Sequence, residues 1–273
     1  MLARELVRIA EQRLAPAEDS SFSASVLFEK VFGRNYRLCF DTLDDNKTDE
    51  YLSLVDRRCS GEPLQYIVGS WPFMEAEYTV GPGVLIPRPE TEEVVEQALR
   101  EIDGVLSPVV YDLCAGTGCI GISISRKRPD ALVFGVELMP DAFPYFEKNA
   151  STLAPVVNCI QGDVLEYWQR IESESVDLIV SNPPYISASE TVYFQKELSY
   201  EPITALVAED DGLLFYKSIA SNYYNALKIG GKIVFEIGYT QSSAVESILH
   251  ECGYRFVTSH KDSFGNDRIV CRG

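Results

Sequence analysis

The sequence predicts an α/β protein: a parallel sheet covered by helices on both faces, preceded by a small helical region. Three observations lead there. Residues 1 to about 70 carry apolar side chains at helical spacing, short apolar runs alternate with helical stretches from residue 91 onward, and the first of those runs enters a glycine-rich turn that opens a helix. Alternation of this kind, with strands apolar along their length, marks a sheet buried on both sides, because crossover helices cover each face.

In the first region, Leu2, Leu6, Ile9, Ala10 and Leu14 recur on one helical face. Ser23 or Ser25 is placed to cap a second helix carrying Val26, Leu27 and Val31, which ends near Gly33. Thr48 opens a third, with Tyr51, Leu52 and Val55. Glycines and prolines then punctuate residues 61–89, around short runs such as Tyr66-Ile67-Val68. They place a linker with a hairpin over 71–90, between a helical domain over 1–70 and an α/β domain over 91–273. In the latter, helices are expected over 91–100 with Thr91 as cap, 119–127, 141–153 with Pro144 in the first turn, 213–227 and 242–251, the last stopped by Gly253. Strands are expected over 109–113, 132–137, 156–160, 176–181 and 232–237, and a closing antiparallel pair over 255–259 and 268–271.

Composition narrows the function. The chain has 273 residues, 46% of them hydrophobic, and 41 Asp and Glu against 24 Lys and Arg, a net charge of −17. Nucleic-acid binding draws most of its affinity from basic side chains on phosphates, so no direct nucleic-acid substrate is expected; a protein partner with a basic surface is compatible with the charge. Seven scattered cysteines form no Cys-x-x-Cys pair and no metal set, which reads as reduced thiols in a cytoplasmic protein. The start, Met1-Leu2-Ala3-Arg4-Glu5, lacks a signal-peptide apolar run, and no stretch approaches a membrane span. His250 and His260, the two histidines, sit in no motif, which argues against histidine-driven nucleophilic catalysis.

Two loops carry the chemistry. Asp112-Leu113-Cys114-Ala115-Gly116-Thr117-Gly118 follows the first strand of the α/β region. Its glycines let the backbone approach a ligand, and the helix start that follows favours an anionic group such as a carboxylate. It is neither a strict Gly-x-Gly-x-x-Gly nor a phosphate-binding P-loop. Glu137 ends the next strand, where a carboxylate can accept from both ribose hydroxyls of an adenosine-containing ligand; Asp163, further on, can reach the adenine amino group. The second loop, Asn182-Pro183-Pro184-Tyr185, ends the apolar run Leu178-Ile179-Val180. Both prolines fix φ and lack an N–H. The Asn182 side-chain oxygen and the Pro183 carbonyl can each take one hydrogen of an NH₂ group, and Tyr185 offers a ring face for stacking. Arg88 could meet a ligand carboxylate or an incoming loop, and Glu201-Pro202 shapes a nearby loop.

Together with Gly61-Glu62-Pro63-Leu64-Gln65-Tyr66-Ile67, Leu85-Ile86-Pro87-Arg88-Pro89-Glu90-Thr91-Glu92, Tyr200-Glu201-Pro202 and Gly265-Asn266-Asp267-Arg268, these loops make the whole chain resemble the HemK-type release factor glutamine methyltransferases. The resemblance implies a seven-stranded, Rossmann-like, S-adenosyl-L-methionine-dependent methyltransferase domain preceded by a small helical domain that recognises the substrate. It implies methylation of the side-chain amide of the glutamine in the Gly-Gly-Gln motif of peptide chain release factors, in support of translation termination. Cofactor contacts then fall on Cys114, Ala115, Gly116, Thr117, Gly118, Glu137, Asp163, Val164 and Asn182; substrate contacts fall on Asn182, Pro183, Pro184 and Tyr185, of which Asn182, Pro183 and Tyr185 are the catalytic set. Many members have Gly where Cys114 stands; a Cys fits the turn where its φ is negative. Glutamine of a ribosomal protein is an alternative target, and an exocyclic amine of a nucleic-acid base a second, disfavoured by the charge. A non-catalytic binding module is the third reading, disfavoured by the intact Asn182, Gly116, Gly118 and Glu137.

Overall fold

The computed structural model describes residues 1–15, 19–193 and 195–272 and divides into two compact units. The first holds residues 1–70 together with Gln195–Tyr200. Its helices are α1 (Ala3–Leu14), α2 (Ser20–Phe32), α3 (Asp45–Cys59) and the single turn α4 (Leu64–Val68). Leu6, Ala10, Leu27, Phe28, Tyr51 and Val55 are buried, so the helical periodicity does face a core. Tyr51 packs edge-on against Phe28 and donates its hydroxyl to the Ala24 carbonyl at 3.0 Å.

The structure of this unit departs from local pattern at three places. Ser23 is in the first turn of α2, not at its cap; Asp19 holds the cap position, and the buried Ser23 hydroxyl donates to Asp19 at 2.6 Å. Asp44, not Thr48, caps α3, accepting from the Lys47 N–H at 3.0 Å, because a carboxylate one turn earlier reaches the free amides that the Thr48 side chain cannot. Tyr66-Ile67-Val68 is helical, ended by Gly69 at φ +84°, and is no part of the hairpin. Segment 195–200 joins this unit through the nearly buried Arg58, which pairs with Asp19 at 3.0 Å and with Glu197 at 2.7 Å.

The second unit comprises the remaining described residues. A hairpin of β1 (Ser70–Phe73) and β2 (Ala76–Thr79) precedes α5 (Pro89–Glu101), β3 (Val109–Leu113), α6 (Cys119–Lys127), β4 (Leu132–Glu137), α7 (Phe143–Leu153), β5 (Asn158–Gln161), α8 (Val164–Tyr167), β6 (Val176–Ser181), α9 (Leu214–Asn222), β7 (Leu227–Glu236), α10 (Ser242–Glu251), β8 (Val257–Lys261) and β9 (Asp267–Arg272). Seven strands form one sheet in the order β5-β4-β3-β6-β7-β9-β8. The first five are parallel, while β9 runs antiparallel to both neighbours. Apolar side chains fill both faces: Val94, Ile122 and Phe146 belong to one core, Tyr216, Ile219 and Leu249 to the other.

The expected helix over 213–227 is cut short at Asn222. Tyr223 turns its ring into the core, donating to the Val164 carbonyl at 2.8 Å, and a tight turn over Tyr224–Ala226 frees Leu227 to pair with Val176. The strand therefore begins five residues before the expected Lys232. Phe256, at φ +56°, delays β8 to Val257.

Candidate active site

From β3 the chain first builds outward to β4 and β5, then returns to place β6 and β7 on the other side of β3. Such a switch in strand order opens a crevice beyond the carboxyl ends of the strands. A cleft of about 300 Å³ lies there, its wall including Cys114, Ala115, Gly116, Thr117, Glu137, Asp163, Val164, Asn182 and Pro184. Gly118, Pro183 and Tyr185 are not part of that wall; each adjoins a residue that is.

The turn after β3 is shaped by two left-handed residues at its ends. Cys114 has φ +63°, contrary to the expected negative value. The cause is the chain reversal at the sheet edge: the Ala115 N–H must bond the Val136 carbonyl at 3.0 Å, and a β-region Cys114 would carry it past. At the other end Gly118, φ +79°, precedes α6, and any β-carbon there would collide with the Phe146 ring. Between them the Gly116 N–H donates to Glu137 at 2.8 Å, and the other Glu137 oxygen accepts from Met139 at 2.7 Å. Glu137 is thus locked in orientation, 7% exposed, with its carboxyl raised above the usual range by burial and held back by those backbone donors. Each oxygen keeps a second lone pair for a ligand hydroxyl. Asp163 caps α8 through Leu165, which fixes its carboxylate at the cleft. Asp112, beneath the turn, takes one bond from the Gly121 N–H; its other oxygen has no partner among the described residues, and burial pushes its carboxyl up to about 7.

The loop after β6 is clamped from several sides. Gln241 donates to the Tyr185 carbonyl at 2.9 Å and accepts from the Gly238 N–H at 3.0 Å. Gly212, φ +83°, lies so close to that carbonyl that no side chain fits. Asn182 donates through Nδ2 to the Thr91 hydroxyl at 3.3 Å, and Thr91 donates to Glu236 at 2.7 Å. Thr91 is therefore not the expected cap of α5: the helix starts two residues earlier, at Pro89, and the threonine is buried in its first turn. Arg88 is ion-paired with Glu201, whose second oxygen accepts from the Ile86 N–H at 3.1 Å. That pair ties the segment before α5 to the loop at 201–208, and both segments line the cleft.

The wall offers polar groups and surfaces that suit an adenosine-bearing ligand with a carboxylate: an acidic residue to accept from vicinal hydroxyls, apolar flanks from Ile120, Leu138, Val164 and Phe215 for a flat base, and the head of α6 for an anion. Among the described residues no cluster of His, Cys, Asp and Glu could hold a metal ion, and no helix is long and apolar enough to cross a membrane. Gln241, Gly212 and Glu236 lack a local motif that would single them out, and Thr91, although it lies in the segment Leu85 to Glu92, reads from local pattern only as a helix cap. The separation of 145 positions between Thr91 and Glu236 is bridged only by the folded sheet.

Residues 5–69 match the family model described as the PrmC N-terminal domain, and residues 94–206 match the methyltransferase small domain. The catalytic domain of hMettl16 in complex with a MAT2A 3'UTR hairpin superposes with a TM-score of 0.58 at 14% identity, over 95% of this chain and 92% of that one, a likeness of fold. Among curated relatives, the release factor glutamine methyltransferase of Bordetella pertussis is 38% identical over 90% of this chain and 92% of its own. That of Escherichia coli strain K12 is 34% identical over 97% and 96%, and that of Clostridium acetobutylicum 36% over 93% and 90%. On this extent of identity the chain belongs to the release factor glutamine methyltransferase family.

Proposed function

We propose that the protein transfers a methyl group from S-adenosyl-L-methionine to the side-chain amide nitrogen of the glutamine in the Gly-Gly-Gln motif of peptide chain release factors, in the cytoplasm. One observation carries the reading: Asn182 and Pro184, from the loop that ends β6, share one cleft wall with Glu137 and Asp163. In this reading a planar NH₂ acceptor and an adenosine-bearing donor meet in that cleft.

The cofactor contacts assigned are Cys114 to Gly118, Glu137, Asp163, Val164 and Asn182; the substrate contacts are Asn182 to Tyr185. Bound S-adenosylmethionine supplies an electrophilic methyl group on a positively charged sulfur. The chain's own residues hold the acceptor. Asn182 Oδ1 and the Pro183 carbonyl each accept one amide hydrogen, which orients the nitrogen and favours the positive charge that grows on it. Tyr185 stacks on the carboxamide plane. Its phenol is pushed up to about 12, chiefly by burial, so it stays neutral and is not a base at neutral pH. No base is needed before attack, since the methylated nitrogen is acidic and sheds its proton afterwards. Residues 1–70 form the recognition domain in this reading, 71–90 the linker with its hairpin, and 91–273 the catalytic domain.

The test is to incubate the protein with methyl-labelled cofactor and, separately, release factor, ribosomal protein, DNA and RNA, then locate the label by mass spectrometry. Label on the Gly-Gly-Gln glutamine is the expected result. Label confined to ribosomal protein or nucleic acid overturns the substrate assignment.

A further inference from the structure

A side-chain amide has two ends of nearly equal shape, and one of them is useless to an NH₂ acceptor. If Asn182 turned its own NH₂ toward the cleft, donor would face donor. Whatever holds the oxygen outward is therefore part of the machinery, and the residues next to Asn182 do this by proton counting. Thr91 and Glu236 are each only 2% exposed, so no solvent competes for their bonds. In its ionised form Glu236 has no proton to give, so at the 2.7 Å contact Thr91 is then the donor and Glu236 the acceptor. A hydroxyl has one proton. Once that proton is committed to Glu236, the Thr91 oxygen can only accept, and the Asn182 atom at 3.3 Å must be the donor Nδ2. Oδ1 is then the amide atom left for the cleft that Asn182 lines.

We propose that Thr91 and Glu236 are positioning residues that set the orientation of the Asn182 amide, so that its oxygen and not its nitrogen meets the methyl acceptor. The inference rests on the reading of Asn182 as the acceptor of a carboxamide N–H. Glu236 acts at two removes, from the end of β7; Thr91, in the first turn of α5, is the relay. The backbone of Glu236 is itself anchored, its carbonyl accepting from the Tyr216 hydroxyl at 2.9 Å, so the carboxylate is a fixed post.

The test has a spectroscopic arm that needs no substrate and a kinetic arm that does. In protein labelled with [¹⁵N]asparagine, the side-chain NH₂ pair that disappears in Asn182→Ala belongs to Asn182. One of its two protons should exchange with solvent at least tenfold more slowly than those of exposed asparagines. That protection should vanish in Thr91→Val, which keeps the shape without the hydroxyl, and persist in Thr91→Ser. In the kinetic arm, at saturating cofactor and release factor, Thr91→Val should lower kcat tenfold or more with cofactor Kd within threefold of the parent, and Thr91→Ser should restore kcat. Because Thr91 acts through Asn182, Thr91→Val should add almost nothing to Asn182→Ala. Thr91→Ala replaces Thr91→Val should the latter not fold. Equal protection in Thr91→Val and the parent, kcat within threefold of the parent, failure of Ser to rescue, or an additive loss on Asn182→Ala would each overturn the proposal. A parent enzyme that leaves the release factor unlabelled refutes the proposed substrate instead, and the exchange arm still decides the amide orientation.

Discussion

A carboxamide nitrogen shares its lone pair with the adjoining carbonyl, so a methyl acceptor of this kind depends on groups that hold its two hydrogens and tolerate positive charge. In the proposed reading Asn182 supplies one of these. Asn182→Ala should lower turnover by roughly two orders of magnitude, the usual effect of removing a preorganised polar group, while calorimetry still shows the cofactor binding, weakened only by the loss of its one contact to Asn182. Turnover near the parent value would remove Asn182 from the mechanism. Cys114 poses a different question, because a side chain at φ +63° carries strain of about 1–2 kcal/mol that glycine avoids. Cys114→Gly gives up the burial of a small thiol and frees the unfolded chain, so the opposing effects nearly cancel and its stability should lie within about 1 kcal/mol of the parent. A β-branched residue tolerates that φ far less well, and Cys114→Val should cost about 2 kcal/mol or more in urea unfolding. Equal stability of the Gly and Val variants would contradict the left-handed turn.

At the scale of elements, the site depends on how the β6 loop is gripped. Gly212 has no room for a β-carbon beside the Tyr185 carbonyl, and at φ +83° a side chain there is strained as well. Gly212→Ala must push the Asn182 to Tyr185 loop aside, and displacements of about 1 Å can cost on the order of 100-fold in rate. Turnover should fall tenfold or more while cofactor affinity changes little, a split read by single-turnover kinetics beside a binding titration; unchanged single-turnover rates would show that the loop does not depend on this contact. What the sequence disclosed at this scale follows the reach of its signals. The glycine-rich turn and Asn182-Pro183-Pro184-Tyr185 are contiguous, and apolar alternation places both at strand ends, so sheet, helices and both loops could be read from local pattern. Local pattern misplaces the caps at Ser23 and Thr91 because a hydroxyl near a helix start is equally suited to a partner within the fold, and at Thr48 because the Asp44 carboxylate one turn earlier takes the cap. Thr91 found one in Glu236, on a strand far along the chain. The grip of Gly212 and Gln241 on Tyr185 was invisible for the same reason: each contact exists only after the sheet has assembled.

For the molecule as a whole, buried acids make stability depend on pH in an unusual direction, and Glu137, also raised by burial, acts in the same sense as Asp112 and Glu236. Burial raises Asp112 from 3.8 to about 7 and Glu236 from 4.5 to about 7, although the Gly121 N–H and the Thr91 hydroxyl respectively pull the other way. Unfolded, both return to ordinary carboxylate values. Between those limits the folded chain holds protons that the unfolded chain has released, so stability falls as pH rises. The contribution is complete below about 4, is lost through the window up to about 7, and is absent above it. The carboxyls of Asp19 and Asp262 are displaced the other way, against the pull of burial, by the Ser23 hydroxyl and the Asn266 N–H respectively and then by Arg58 and Arg268, and act only at the acid end where they protonate. Each unit of displacement corresponds to about 1.4 kcal/mol before structural relaxation, and relaxation around the cleft reduces it. With a urea dependence of about 2–3 kcal/mol per molar, the midpoint for the catalytic unit should drop by on the order of 1 M between pH 5.5 and 8. Asp112→Asn with Glu236→Gln removes both titrations and should flatten most of that slope, whatever it does to activity. A double variant that keeps the parent's slope would mean that other groups carry the proton linkage. A parent midpoint that rises over the same interval would mean that these two carboxyls are ionised in the folded chain well below neutral pH. The enzyme is thereby held to a compromise: the pH that best protects the fold leaves Glu236 protonated, whereas the Thr91 relay works through its ionised form.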